Sequence, residues 1–257
     1  MSKNPLLEFT KFILILGALG WLFYRGGVEL EYNWQWYRIP DYLFSFEKGN
    51  FIPGPLLEGL WITLRITVFS LFFAFLFGLT CALMRLSHSF VGQCLARIYL
   101  QVVRNTPLLI QIFFIYFVLG PILGLDRFPA AVLALSLFEG AYASEIFRAG
   151  IQAINKEQWE AAYSLGLSTF DTYIKIIIPQ ALRYVLPPLT NQAVCLIKDS
   201  ALVSTIAIYD LTMQGQVIIA RTFLTFEVWF TVAGIYLFLT ITLSGLAALL
   251  ERKMQVI

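Results

Sequence analysis

The sequence predicts an all-α integral membrane protein with six transmembrane helices, on two observations. Of its 257 residues, 59% are hydrophobic and only 13% are charged, whereas about a quarter of the residues in a soluble domain are charged. Six segments also approach the roughly 20 mostly apolar residues that a helix needs to cross a bilayer. They are residues 6–24, 59–84, 104–124, 129–149, 186–208 and 228–250.

The first segment has two possible roles. Lys3 and Lys11 precede an apolar run from Phe12 to Tyr24, as they would in a secretory signal peptide. Large residues fill the stretch "LGWLFYRGG", so no small-x-small cleavage site follows the run. We therefore interpret residues 1–25 as an uncleaved signal-anchor helix.

Residues 26–58 form the loop predicted to lie on the outer side of the membrane. It is rich in aromatic side chains, namely Trp34, Trp36, Tyr37, Tyr42 and Phe44. Such residues are enriched where a protein meets the headgroup layer of a bilayer. They predict an interfacial belt on a short re-entrant or surface helix, and a docking surface for an external partner is the alternative.

Loop charges orient the six spans, because lysine and arginine are enriched in short cytoplasmic loops. The 85–104 loop has three arginines and no acid, and both chain ends are basic. Residues 25–58 have three basic residues against five acids. An arrangement of six spans with both termini in the cytoplasm places every basic loop on the cytoplasmic side. Residues 150–185 then also face the cytoplasm.

The 150–185 loop contains two short predicted helices. Trp159, Ala162 and Tyr163 recur at helical spacing, and Gly166 can adopt the left-handed conformation that ends a helix. Connectors between membrane helices are usually much shorter, so we expect this loop to be functional.

The second helix of this loop is predicted to begin at a capping residue, Ser168 or Thr169. It continues through "FDTYIKIII" until Pro179 interrupts it. A two-helix projection with small residues on one face suits insertion into a groove on another protein.

The spacing of this loop is similar to a known signature. Glu160, Ala161 and Ala162, followed by Gly166 and by Ile176–Ile177–Ile178–Pro179, resemble the cytoplasmic "EAA" signature of permease subunits of bacterial ABC importers. The signature usually has leucine where this chain has Ile178. Four further stretches resemble the polar amino acid branch of those permeases: "VVRNTPLLIQIFFIYF" (102–117), "YASEIFRAGIQAI" (142–154), "IIPQALRYVLPPLTN" (177–191) and "LIKDSALVSTIAIYDLT" (196–212). Glu157 stands where that branch usually has glycine.

The resemblance covers residues 56–253 and implies an architecture. A five-helix permease core at residues 59–253 would follow the N-terminal helix and a periplasmic loop at 26–58, in a bacterial inner membrane. A second permease copy or a homologous permease would complete the translocation path. A periplasmic solute-binding protein would deliver a polar amino acid.

The resemblance also implies an ATPase partner. A dimer of ATPase subunits would bind the coupling loop through Glu160, Ala161, Ala162, Gly166 and Pro179. The chain itself contains no G-x-x-x-x-G-K-[ST] phosphate-binding loop. We therefore expect no cofactor in this chain, with ATP and magnesium bound by the partner.

Polar residues inside the predicted spans form a second group of candidates. Ionisable groups near the bilayer centre cost roughly 2.5–3.5 kcal/mol each and usually face the bundle interior. Two interpretations stay open: structural pairing, for example of Lys198 with Glu145, or a substrate path. A zwitterionic amino acid needs one anionic and one cationic partner, and Pro187 and Pro188 would free backbone groups for a cavity. The candidates are Glu139, Glu145, Asn191, Gln192, Lys198 and Asp199.

The stretch "RNTP" at 104–107 has a structural interpretation. Thr106 is predicted to cap span three, with Pro107 as its first helical residue. Arg104 would then lie at the anionic inner surface of the membrane.

Other functional classes have less support. A secondary transporter or channel working without ATP is the alternative, but it would show internal repeats, and none is convincing between 6–124 and 129–250. With one histidine and three scattered cysteines, the chain has no metal motif and no catalytic constellation. A net charge of +2 gives no reason to expect a nucleic-acid partner.

Overall fold

The computed structural model describes residues 5–29 and 32–255, and the chain divides after Arg38 into two compact units. In the first unit, helix α1 spans Pro5–Glu29. The helix contains one ion pair in each half: Lys11 pairs with Glu8 at 3.3 Å, and Arg25 pairs with Glu29 at 2.8 Å. A 3₁₀ turn, Trp36–Arg38, closes this unit.

The second unit is mostly helical. Its elements are α2 (Ile39–Leu43), strands β1 (Phe44–Glu47) and β2 (Asn50–Pro53), α3 (Pro55–Leu86), α4 (Phe90–Arg104), α5 (Leu108–Phe113), a π-helical turn (Phe114–Leu119), α6 (Gly120–Leu123), α7 (Arg127–Gln152), α8 (Lys156–Ser164), α9 (Thr169–Thr172), a second π-helical turn (Tyr173–Ile177), α10 (Ile178–Asp199), a 3₁₀ segment (Ser200–Ile206), α11 (Leu211–Thr222) and α12 (Thr225–Gln255).

The aromatic loop differs from its prediction. Helix α2 has only five residues, and the following chain forms an antiparallel hairpin that pairs Phe44 with Pro53. The hairpin closes because Lys48 and Gly49 both have positive φ angles, 51° and 81°, as a tight two-residue turn requires. A short helix is therefore present in this loop, as predicted, and the two strands that follow it were not predicted.

Helices α3 and α7 form the centre of the bundle. They approach closely because small residues meet: a Cβ placed on Gly78 would lie 2.7 Å from the Cβ of Ala143. Elsewhere along these two helices, Ile66 of α3 and Leu135 of α7 are fully buried in one apolar cluster with Leu196 of α10.

Four helices in the described residues are long and apolar enough to cross a membrane: Glu8–Gly27 of α1, Pro55–Leu86, Arg127–Gln152 and Thr225–Leu249 of α12. They coincide with predicted segments one, two, four and six. The pair Phe90–Arg104 and Leu108–Leu123, bent by 108°, passes the same test jointly.

The third predicted segment, 104–124, therefore corresponds to the second helix of this bent pair, which forms either a broken span or a re-entrant loop. Residues 90–104, predicted as a loop, form the amphipathic helix α4. The cap prediction was also wrong, because Pro107 occupies the N-cap position of α5. The Thr106 hydroxyl instead donates to the Val102 carbonyl at the end of α4.

The fifth predicted segment, 186–208, corresponds to the second half of α10 and the 3₁₀ segment. Pro179 was expected to end the preceding helix, yet helical structure continues from Thr169 to Asp199. The proline lies in the first turn of α10, after a π-helical turn whose changed register accommodates a residue without an N–H. Pro187 and Pro188 lie inside α10, and the Thr190 hydroxyl donates to the Pro187 carbonyl at 2.7 Å.

Candidate functional site

The predicted elbow has a complete helix-ending motif. The N–H of Gly166 donates to the Tyr163 carbonyl at 2.9 Å, and the N–H of Leu167 donates to the Ala162 carbonyl at 3.2 Å. These two bonds define a Schellman motif, in which the residue after the helix is left-handed. Gly166 has a φ of +76°, so the predicted left-handed conformation of this glycine at the end of the helix is confirmed.

The second arm of the elbow begins at Ser168, one of the two predicted caps. Its hydroxyl oxygen accepts a hydrogen bond from the N–H of Asp171 at 3.1 Å. The Asp171 carboxylate pairs with Lys175 at 2.7 Å. Hydrogen bonds from Lys175 and Ser168 hold the pKa of Asp171 below its usual value, so a charged carboxylate lies near the N-terminus of this arm, where the helix dipole favours it.

Side-chain contacts fix the angle between the two arms. The rings of Trp159 on α8 and Tyr173 on the π-helical turn meet edge to face, with centroids 5.1 Å apart. The Gln180 amide of α10 donates to the Gln158 side-chain oxygen at 3.2 Å. Beneath them, Ile177 is fully buried. The elbow is therefore a packed unit joined to the start of α10.

The outward surface of the elbow combines the signature residues with apolar side chains. Glu160 and Ala161 are exposed, whereas Ala162 is only 3% exposed and packs inward. Leu165 and Phe170 are 80% and 73% exposed at the turn. Pro179 is also exposed.

A polar centre lies among the helices. Glu139 of α7 is 1% exposed, and one of its oxygens, Oε2, accepts a hydrogen bond from the Gln192 amide of α10. The carboxyl of Asp199, also on α10, interacts electrostatically with that of Glu139. No amide, hydroxyl or cationic donor among the described residues contacts the other oxygen, Oε1. The packing of α7 on α10 thus brings Glu139, Gln192 and Asp199 together. The other two candidates on α10, Asn191 and Lys198, are exposed.

Glu145 lies in a different cluster. Its carboxylate binds three arginines: Arg85 of α3, Arg104 of α4 at 3.4 Å, and Arg148 one turn along α7 at 2.8 Å. The pairing proposed with Lys198 is therefore wrong, since the arginines surround both carboxylate oxygens.

Sequence reasoning missed some of these residues. In the sequence, Arg85 and Arg104 belong to the basic 85–104 loop and have no evident partner, whereas the three-residue spacing of Glu145 and Arg148 indicates one pair. Leu165 and Phe170 flank the predicted glycine turn, and their exposure follows from that turn. The contact between Glu139 and Gln192 joins residues of two helices and has no local signal.

The chain combines several apolar helices with a buried polar centre and with a two-helix elbow in the polar loop between α7 and α10. This combination is typical of a membrane-embedded transport subunit. The family model described as "Binding-protein-dependent transport system inner membrane component" matches residues 74–256. The chain therefore belongs to this family of inner membrane components.

Individual relatives agree with the family. The chain is 40% identical over 205 residues to the glutamine transport system permease protein of Escherichia coli K12, covering 79% of this chain and 94% of that protein. It is 37% identical over 204 residues to the L-cystine transport system permease protein of Bacillus subtilis 168, covering 78% and 87%.

Solved structures give the same result. An amino acid ABC transporter crystallised with histidines has a TM-score of 0.72 and 39% identity, covering 77% of this chain and 94% of that chain. The methionine transporter MetNI, at 19% identity and a TM-score of 0.67, shares the fold. The predicted resemblance to ABC importer permeases is confirmed, and the alternative of a secondary transporter or channel is not supported.

Proposed function

We propose that this chain forms half of the translocation path of an ATP-driven importer of polar amino acids, with six spans and both termini in the cytoplasm. The elbow carries this proposal, because it presents a packed surface with exposed Leu165 and Phe170 in a chain without a phosphate-binding loop. The relatives named for glutamine and L-cystine support the substrate class.

The elbow has the connections that a coupling element needs. A separate pair of ATPase subunits, which holds ATP and magnesium, closes and displaces the elbow as one unit. Helical structure runs without a break from Thr169 to Asp199. A displacement at the elbow is therefore transmitted to Gln192 and Asp199, and the permease halves rock between outward-facing and inward-facing states.

The polar centre is the proposed substrate path. The carboxyl of Glu139 and that of Asp199 suit the ammonium group of an amino acid, and the Gln192 amide can donate to the substrate carboxylate or accept from the substrate ammonium group. A second permease copy or a homologous permease supplies the other half of the path. A periplasmic solute-binding protein delivers the substrate, and residues 1–25 form the additional anchor helix.

Co-purification with the ATPase subunit tests the coupling role. Gly166→Pro removes the +76° φ angle and the N–H that ends α8, so we expect the ATPase subunit to be lost from the complex. Gly49→Pro is the matched control, because Gly49 also has a positive φ, of 81°, and open space around it, but lies in the hairpin. If the Gly166→Pro variant retained as much ATPase subunit as the Gly49→Pro variant does, the coupling role of the elbow would be contradicted.

The substrate class is tested by ATPase stimulation in vesicles with a panel of solute-binding proteins and amino acids. Glu139→Gln should reduce stimulation by amino acids while the ATPase subunit stays bound. Unchanged stimulation in this variant would remove Glu139 from the substrate path.

A further inference from the structure

Helix α4 has three faces of different chemistry. Ala96, Leu100 and Val103 are buried against the bundle. Four apolar residues at helical spacing, Val91, Leu95, Ile98 and Val102, form a second stripe that is 54–65% exposed. The third stripe, which we call the polar stripe, consists of Arg97, Gln101 and Arg104 at intervals of four and three residues, so these side chains share one face.

A cavity of about 310 Å³ opens along the polar stripe. It is bounded by the polar stripe on one side and by Arg85 of α3 and Tyr142 and Glu145 of α7 on the other. The guanidinium of Arg104 lies 5.6 Å from the centre of the Tyr142 ring, which helps to hold this arginine at the cavity wall.

The cavity has excess positive charge. Glu145 is the one acid in its lining, and it is shared by Arg85, Arg104 and Arg148. Arg97 has a different partner, the Gln93 side-chain oxygen at 3.3 Å, which is neutral. The sequence from 59 to 125 contains no aspartate or glutamate, so the neighbouring parts of α3 and α4 add no acid. Three arginines line the cavity against this one carboxylate, which leaves a net charge of +2 and favours an anionic ligand with several acceptor oxygens.

The ligand is identified by the neighbouring apolar stripe. We propose that this cavity binds the phosphate headgroup of an anionic phospholipid, with the acyl chains along Val91, Leu95, Ile98 and Val102. Basic pockets between membrane helices on the cytoplasmic side are suited to such headgroups. That the lipid belongs to the inner leaflet rests on the proposed function, which places both termini in the cytoplasm. The headgroup site itself rests only on the basic lining and the shape of the cavity.

Lipid retention tests the site. The full chain, with whatever subunits co-purify, is placed in phosphatidylcholine nanodiscs containing a minority of phosphatidylglycerol. The phosphatidylglycerol that stays bound after detergent extraction is then measured by mass spectrometry. Arg97→Gln should reduce retention about fivefold, the effect of one basic residue near an anionic surface. Arg97 makes no ion pair with any described residue, and its partner is the neutral Gln93 side chain, so this variant leaves the Glu145 cluster intact.

Two further variants control for charge and position. Arg97→Lys keeps the positive charge and should retain most of the lipid. Arg183→Gln removes an exposed arginine of α10 that does not line the cavity, and it should retain lipid as the unaltered chain does. Equal retention by Arg97→Gln and Arg183→Gln would overturn the proposal.

Other ligands give different results. Inorganic phosphate in discs of phosphatidylcholine alone should not raise thermal stability; if it stabilised the protein as much as phosphatidylglycerol does, the site would bind a free anion. Cys94 is exposed on α4, and thiol cross-linking of two copies through it would show that a second permease covers the apolar stripe, which also overturns the proposal. Retention is measured without ATP, so it can fail or succeed independently of ATPase binding by the elbow.

Discussion

Gly166 in the elbow and Gly78 in the bundle are both required to be glycine, but for opposite reasons. Gly166 has open space around it and a φ of +76°. Gly78 lies inside α3, and its missing Cβ would be 2.7 Å from Ala143. The elbow is thus specified by backbone conformation, and its turn is exposed. The bundle is specified by close packing and leaves no space.

The largest expected effect is that of Gly78→Val in the bundle. The added side chain collides with Ala143 and with the backbone of α7, whose Gly140 carbonyl would lie 3.0 Å from a Cβ. Overpacking usually costs about 1–3 kcal/mol, and a contact with backbone places this variant at or above the upper end. We expect a large loss of folded protein, measured by fluorescence-detected size exclusion.

Gly245→Val is the matched control for that substitution. Gly245 lies in α12, and a Cβ there meets nothing within 4 Å. Folded protein should remain near the normal level in this variant. A similar loss in both variants would mean that valine in a membrane helix, and not the contact of α3 with α7, is responsible.

The next effect concerns Asp210, which precedes α11 outside the candidate spans and is fully buried. Its Oδ1 accepts the N–H of Met213 at 2.9 Å. Burial raises the pKa of Asp210 to about 6 from a model-peptide value of 3.8. The folded protein therefore binds the Asp210 proton more tightly than the unfolded chain does. The free energy of unfolding consequently falls as pH rises from 3.8 to about 6. The difference is up to about 3 kcal/mol.

Thermal unfolding in detergent as a function of pH checks this interpretation. Asp210→Asn keeps the cap and removes the charge, so it should gain stability over the unaltered chain at and above neutral pH and lose that gain toward pH 4. Comparing the two proteins at each pH cancels the titration of other carboxyl groups. A difference that does not change with pH would contradict the buried-charge account.

The elbow was predictable from sequence because its determinants are local. Gly166 and Ser168 act on backbone groups within a few residues, so their spacing indicates the motif directly. The clusters around Glu139 and Glu145 were not predictable in detail, because their partners come from other helices. A polar residue in an apolar segment indicates that it faces inward, but not which helix it meets. Helix α4 was missed because its polar stripe was counted as loop charge.

A smaller effect is expected from Gly166→Ala in the elbow. Alanine finds no clash there, but the left-handed conformation costs about 1–2 kcal/mol for a residue with a Cβ. Gly166→Asn should be milder, since asparagine tolerates that conformation. Transport should follow the order glycine, asparagine, alanine in a vesicle uptake assay. An alanine variant as active as the asparagine variant would show that the left-handed conformation at residue 166 does not limit the elbow.

The smallest effect is that of Ser168→Ala, which removes the hydroxyl that caps the second arm. The N–H of Asp171 then loses its acceptor at 3.1 Å, at a cost of about 1 kcal/mol. The cap stabilises only the first turn of this arm, since the Trp159–Tyr173 contact and the buried Ile177 remain. Backbone hydrogen exchange should therefore increase at residues 169–172 with little change in α10. Thr169→Ala, one residue along at the first helical position, should leave exchange unchanged, and equal increases in both variants would show that Ser168 is not the cap in solution.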